Sequence, residues 1–86
     1  MKLIICLSCQ DIVKLDYELR FCKCGQCWGH YREDGLHAVI GGKAIPLGFN
    51  NASLANALRN RPEGGMGEVF EAFVIPKEAE HISRID

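Results

Sequence analysis

Eighty-six residues make a single domain, and a chain this short buries only about 60–70% of the surface its unfolded form exposes. Hydrophobic residues form 48% of it and charged residues 24%, proportions that fit a folded globular chain and exclude a disordered tail. The formal net charge of −1 is evenly spread, five Lys/Arg against five Asp/Glu in residues 1–35 and five against six in the remainder, which excludes the continuous basic stripe of a phosphate-gripping protein.

Residues 2–6, "KLIIC", read as a short buried strand. The opening "MKLIICL" is too short for a secretory core and lacks a small-residue cleavage site. No run approaches the ~20 apolar residues that cross a bilayer. A soluble, cytoplasmic protein with no membrane partner is expected. In that reducing setting clustered cysteines serve as metal ligands rather than disulfides, and the odd count of five agrees. In "DIVKLDYELRFC", Ile12, Val13, Leu15 and Leu19 fit one helical face, but Asp16-Tyr17 reads as a turn and "ELRFC" alternates, which favours two short strands joined there as a hairpin between the two cysteine groups.

"WGHYRE" is strand-like, and Asp34-Gly35 is a two-residue hairpin signal. "LHAVI" supplies the returning strand, Gly41-Gly42 a further turn, and "KAIPLGF" a third strand. Pro46 places that strand at an edge or a bulge, because proline cannot donate to a ladder. From Asn51 the apolar period lengthens. Leu54, Ala55 and Leu58 share one face of a short helix near 51–60, with Asn51 as N-cap and Pro62 as the stop. So short a helix must be held by packing. "EGGMGE" is a glycine-rich connection without the Lys-Ser/Thr of a phosphate loop. "VFEAFVI" alternates as a strand up to Pro76, and the tail 77–86 is polar with Ile82 and Ile85 as anchors.

The fold class expected is α+β: a small, zinc-stapled, β-rich domain of antiparallel hairpins or a meander with one short helix. Its parts are a knuckle hairpin over 1–32, strands and helix over 33–76, and the tail. No internal repeat is present.

The chemistry lies in the cysteines. Zinc takes four ligands in a tetrahedron, and two tight turns that each carry two thiolates complete such a site. "CLSC" supplies Cys6 and Cys9. The second pair comes from "CKCGQC": Cys24 and Cys27 form a regular C-x-x-C, whereas Cys22 and Cys24 are followed by Gly25. Glycine at that point can take positive φ and direct N–H groups at the sulfur. Cys6, Cys9, Cys22 and Cys24 are therefore preferred, with Cys27 spare. An iron–sulfur cluster normally shows other spacings. A redox dithiol at Cys6/Cys9 would want a following long helix, and a catalytic zinc would recruit His30 or His37. Phe21, Trp28 and Tyr31 are expected to cover the metal site rather than stack bases.

Outside the cysteines no nucleophile–base set, paired carboxylates or cofactor fingerprint stands out. Asn50, Asn51 and Ser53 gather at a helix start, where with Arg32 they could receive an anionic nucleotide. Capping explains each of them equally well.

Residues 6–25 resemble the knuckle pair of zinc ribbons and rubredoxin-like proteins, which implies Cys6, Cys9, Cys22 and Cys24 as ligands of a structural Zn2+. The shortened C-x-C departs from that pattern. The remainder resembles small bacterial and bacteriophage proteins with an N-terminal cysteine cluster. The function expected is a non-enzymatic zinc-binding module for a protein partner. The alternatives are a phage-type anti-defence inhibitor sequestering an anionic nucleotide across an oligomer interface, and a nucleic-acid-binding ribbon.

Overall fold

The computed structural model describes residues 1–85, so the Asp86 end of the tail lies outside the described residues. Eight strands form two four-stranded sheets, and one short helix accompanies them. The strands are β1 (Lys2–Cys6), β2 (Ile12–Lys14), β3 (Arg20–Phe21), β4 (Cys27–Tyr31), β5 (Ala38–Gly42), β6 (Ala44–Phe49), β7 (Ala72–Val74) and β8 (Ile82–Arg84), with α1 (Asn51–Arg59) between β6 and β7. The first sheet has the order β2-β1-β6-β7 and the second β3-β4-β5-β8. Each therefore draws strands from both sides of residue 32. The described residues are β-rich with one helix, as a small α+β domain should be.

Alternation builds the core. In β1, Ile4 pairs with Val13 on one side and Pro46 on the other. Ile4 and Cys6 turn inward to meet Leu15, Cys22, Cys27, Ala38, Ile40 and Ala44, residues contributed by both sheets. Fully burying side chains of this size is worth about 1.5–3 kcal/mol each for the larger ones. The core is small, and no buried side-chain polar atom lacks a partner among the described residues.

The region between the cysteine groups differs from expectation. β2 and β3 do not pair with each other; β2 joins β1 and β3 joins β4, in separate sheets. The link 15–19 crosses between the sheets, with Leu15 buried and Asp16 accepting from the Tyr31 N–H at 2.8 Å. Gly41 and Gly42 also sit inside β5 rather than forming a hairpin. The turn falls on Lys43, where the chain leaves the second sheet for the first.

Asp34-Gly35 does make a hairpin, between β4 and β5, with a longer loop than two residues. Arg32 N–H donates to the His37 carbonyl at 2.7 Å, so residues 33–36 form the tip. Asp34 Oδ1 accepts from the N–H groups of Leu36 and His37, both at 2.9 Å, and its other oxygen meets His37 Nδ1. These bonds, the His37 backbone N–H first, then the Leu36 N–H and the His37 ring, hold the Asp34 carboxyl well below the usual carboxylate range.

β6 is an inner strand, not an edge. Pro46 is tolerated because its nitrogen faces the side where β7 ends. The last bond there, Ile75 N–H to the Pro46 carbonyl at 2.9 Å, needs no donor from Pro46. β7 itself shrinks to three residues, all exposed.

The polar tail is not merely anchored. Ile82–Arg84 forms β8, parallel to β5, with Ile82 packed on the core. That parallel pair departs from the expected all-antiparallel hairpins or meander. It arises because the chain after β7 crosses from the first sheet to the second and reaches β5 running in β5's own direction.

In α1 the N-cap is Asn50, not Asn51. Asn50 Oδ1 accepts from the Ser53 N–H at 3.1 Å, one of the first-turn donors that have no partner within the helix. No α1 side chain is buried. Packing was expected to hold the helix; instead side chains tie it to the segment before β7. Ser53 Oγ accepts from the Glu71 N–H at 2.9 Å, and Asn56 Nδ2 donates to Glu68 at 3.2 Å. No helix among the described residues is long and apolar enough to cross a membrane.

Candidate metal centre

Two hairpins, one from each sheet, present the cysteines at their tips. The β1–β2 turn carries Cys6 and Cys9, and the β3–β4 turn carries Cys22 and Cys24. The turns close alike. Cys6 N–H donates to the Asp11 carbonyl and Cys22 N–H to the Cys27 carbonyl, both at 3.0 Å. Within them, Gln10 N–H donates to the Cys6 carbonyl at 2.9 Å and Gly25 N–H to the Cys22 carbonyl at 3.0 Å. In each turn the residue after the second cysteine is left-handed: Gln10 at φ 62° and Gly25 at φ 78°. The second is legible from glycine. The first is not, since glutamine has no special preference for that region.

Backbone contacts clamp the two turns together. Leu7 N–H donates to the Lys43 carbonyl at 3.1 Å, and Lys43 N–H donates to the Gln26 carbonyl at 2.9 Å. Asp11 adds a third tie, its Oδ2 accepting from the Lys23 N–H at 2.9 Å. Lys43 reaches both turns because Gly42 takes φ 66°; a Cβ there would lie 2.1 Å from the Gln26 carbonyl oxygen.

The Sγ atoms of Cys6, Cys9, Cys22 and Cys24 all lie within 4.8 Å of one another. Cys24 Sγ is 3.7 Å from Cys6 Sγ and 3.5 Å from Cys22 Sγ. Metal–sulfur bonds of about 2.3 Å in a tetrahedron put ligand sulfurs about 3.8 Å apart. The observed spacings match that edge, so these four cysteines are positioned to hold a metal ion. Cys6 and Cys22 are buried, Cys9 is half-buried and Cys24 is exposed.

Electrostatics favour thiolate at Cys6 and Cys22. Ser8 N–H donates to Cys6 Sγ at 3.4 Å. The Cys6 thiol is lowered, chiefly by the Cys9 N–H, with burial opposing and the Ser8 N–H assisting. At Cys22 burial is the largest single influence and pushes upward. The Cys27 N–H and the thiols of Cys24, Cys27 and Cys6 together outweigh it, bringing the group down to about 5. Cys24 has the Gln26 N–H pulling it down, but burial and the neighbouring sulfurs of Cys22, Cys9 and Cys6 push it up to about 11. The cluster thus gives up its first proton readily and holds others against like charge. A divalent cation is the natural replacement for those protons.

Cys27 adjoins this group but is not one of its four sulfurs. It opens β4, is fully buried in the core, and burial first, then the Cys22 sulfur, pushes its thiol up to about 12. His30 and His37 are not brought to the cysteines either. His30 Nδ1 lies 2.8 Å from the Tyr31 carbonyl oxygen, and His37 is held by Asp34 and edges onto His81 at 5.1 Å between ring centroids. Of the aromatic trio, Tyr31 packs against the core. Phe21 stays 56% exposed and leans on Trp28 across the β3–β4 pair.

The residues considered for an anionic ligand do not share one pocket. Arg32 lines a shallow cavity with Tyr17, His30, Tyr31 and Asp34, to which no α1 residue contributes. Asn50 and Ser53 are engaged in capping, and Asn51 Oδ1 accepts from the Met1 amino group at 2.9 Å.

No family model, curated protein or solved structure matches the chain.

Proposed function

We propose that the protein is a non-enzymatic zinc-binding module that presents a surface to a protein partner. The observation that carries the metal half is the set of four sulfurs within 4.8 Å of one another, held by two closed turns. Zinc suits four thiolates without redox chemistry, and four protein ligands leave no open position for substrate. Such a site acts as a staple between the two sheets. Structural zinc binding is worth on the order of 10–16 kcal/mol at neutral pH, which would compensate for the small core.

Support for a partner comes from apolar side chains left in solvent around α1 and β7. Met66 is 92% exposed, Val69 88%, Leu58 64% and Phe73 55%. Large apolar side chains exposed to this degree are material for an interaction site in a soluble domain. Metal analysis of protein purified without chelators tests the first half, and one zinc per chain is expected. Cross-linking in the native host with wild type and Phe73→Asp tests the second. A specific cross-linked partner lost in the variant is expected; the same cross-links in both would contradict it.

A further inference from the structure

A strand at the edge of a sheet turns half its backbone N–H and C=O groups outward, and folded proteins blunt such edges with charge, proline or cover. Among the described residues the edge strands are β2 and β7 in the first sheet and β3 and β8 in the second. Three of them carry a basic residue: Lys14 in β2, Arg20 in β3 and Arg84 in β8. β7, Ala72-Phe73-Val74, carries neither charge nor proline, and all three residues are exposed. The ladder fixes which groups face out. Asn50 N–H donates to the Glu71 carbonyl and Ile75 N–H to the Pro46 carbonyl, both at 2.9 Å, so residues 71, 73 and 75 bond toward β6. The N–H and C=O groups of Ala72 and Val74 therefore point away from the sheet. The Phe73 ring covers Gly48 of β6, where an added Cβ would strike it, which holds this edge in place.

The chain also shows more surface than a solitary domain of its size. It exposes 6145 Å², against about 5,100 Å² for a folded monomer of its 9.6 kDa mass. Its radius of gyration is 14.2 Å, against about 12 Å for a compact chain of this length. The surplus area is close to the roughly 800 Å² that each partner contributes to a standard interface. We propose that β7 pairs with β7 of a second copy of this chain, antiparallel about a two-fold axis at Phe73, joining the two first sheets into one. Ala72 then faces Val74 of the second copy, and each such pair exchanges both backbone bonds. Glu71 falls opposite Ile75 of the second copy, so like charges do not meet. An uncharged strand does not repel its own image, which makes a second copy a better occupant than a foreign peptide. This names the partner in the reading above and rests on it.

Sedimentation equilibrium of the full-length protein, as purified, tests this. A monomer–dimer equilibrium is expected, with dimer predominant at about 100 μM, because interfaces of standard size bind in the micromolar range or tighter. Val74→Pro removes an outward N–H while sparing the bonds to β6, and should weaken the dimer at least tenfold. Val74→Lys gives β7 the basic residue that the other edges carry and should do the same; it decides the matter should the proline variant fail to fold. Amide exchange at Ala72 and Val74 should slow as the concentration rises. A chain that stays monomeric at about 100 μM would overturn the proposal. So would a folded Val74 variant whose dimer is within twofold of wild type, or a dimer in which β7 exchange ignores concentration. A monomeric chain that still yields a specific cross-linked partner, lost in Phe73→Asp, would sink self-pairing and leave the partner surface standing.

Discussion

Cys22 and Cys27 flank the base of the β3–β4 turn, joined by the 3.0 Å bond from one backbone to the other. Their sulfurs have different surroundings: Cys22 lies 3.5 Å from Cys24, whereas Cys27 is wrapped by the core. Replacing Cys22 with Ser should abolish metal binding, read as zinc per chain. Replacing Cys27 with Ser should leave the metal bound but cost about 1–3 kcal/mol, because a hydroxyl would be buried without an assured partner. The glycines of the site also differ. Gly25 needs only its left-handed backbone, with nothing within 4 Å of an added Cβ, so Gly25→Ala should cost about 1–2 kcal/mol. Gly42→Ala should cost distinctly more in chemical denaturation, since its Cβ would strike the Gln26 carbonyl and push Lys43 off the second turn. Equal losses at the two positions would show that Lys43 does not clamp the turns. The glycine after "CKC" was legible as a left-handed position, whereas Gln10 was not, because its φ is imposed by the turn and by no preference of the side chain.

Strong periodicity and capping chemistry were readable at the level of elements. β1 matches "KLIIC", and α1 was placed within one residue of its observed end. The cap shifted by one residue because two successive asparagines offer the same side chain, and only the Ser53 N–H distinguishes Asn50. Pairing partners were much less legible. β8 is short and polar, and only its parallel position beside β5 makes it a strand; such long-range pairing leaves no local pattern. The β4–β5 loop gives an acid-sensitivity test. The Asp34 carboxyl is held below its unfolded value by the His37 and Leu36 N–H groups and the His37 ring. Its contribution is therefore complete above the unfolded value of about 3.9 and fades as pH falls below it toward the folded value. Denaturant midpoints of wild type should fall through this acidic range more steeply than those of Asp34→Ala. The variant should be less stable at neutral pH, and parallel curves would contradict the assignment.

The molecule as a whole consists of two sheets with a modest shared core, and four cysteines positioned for a metal bridge one turn from each. Neither hairpin alone could complete a tetrahedral site. Folding and metal binding should therefore be coupled, as in small domains whose apo form is unstable. The sequence made the cysteine pairs legible as metal-ligand material. It did not disclose which strands share a sheet, since that depends on long-range pairing and not on any run of residues. Native mass spectrometry of the full chain, purified without chelator and then treated with one, tests the zinc staple most directly. One zinc per chain on a compact ion is expected, with loss of the metal converting it to the highly charged ions of an unfolded chain. A metal-free chain that remains compact would contradict it.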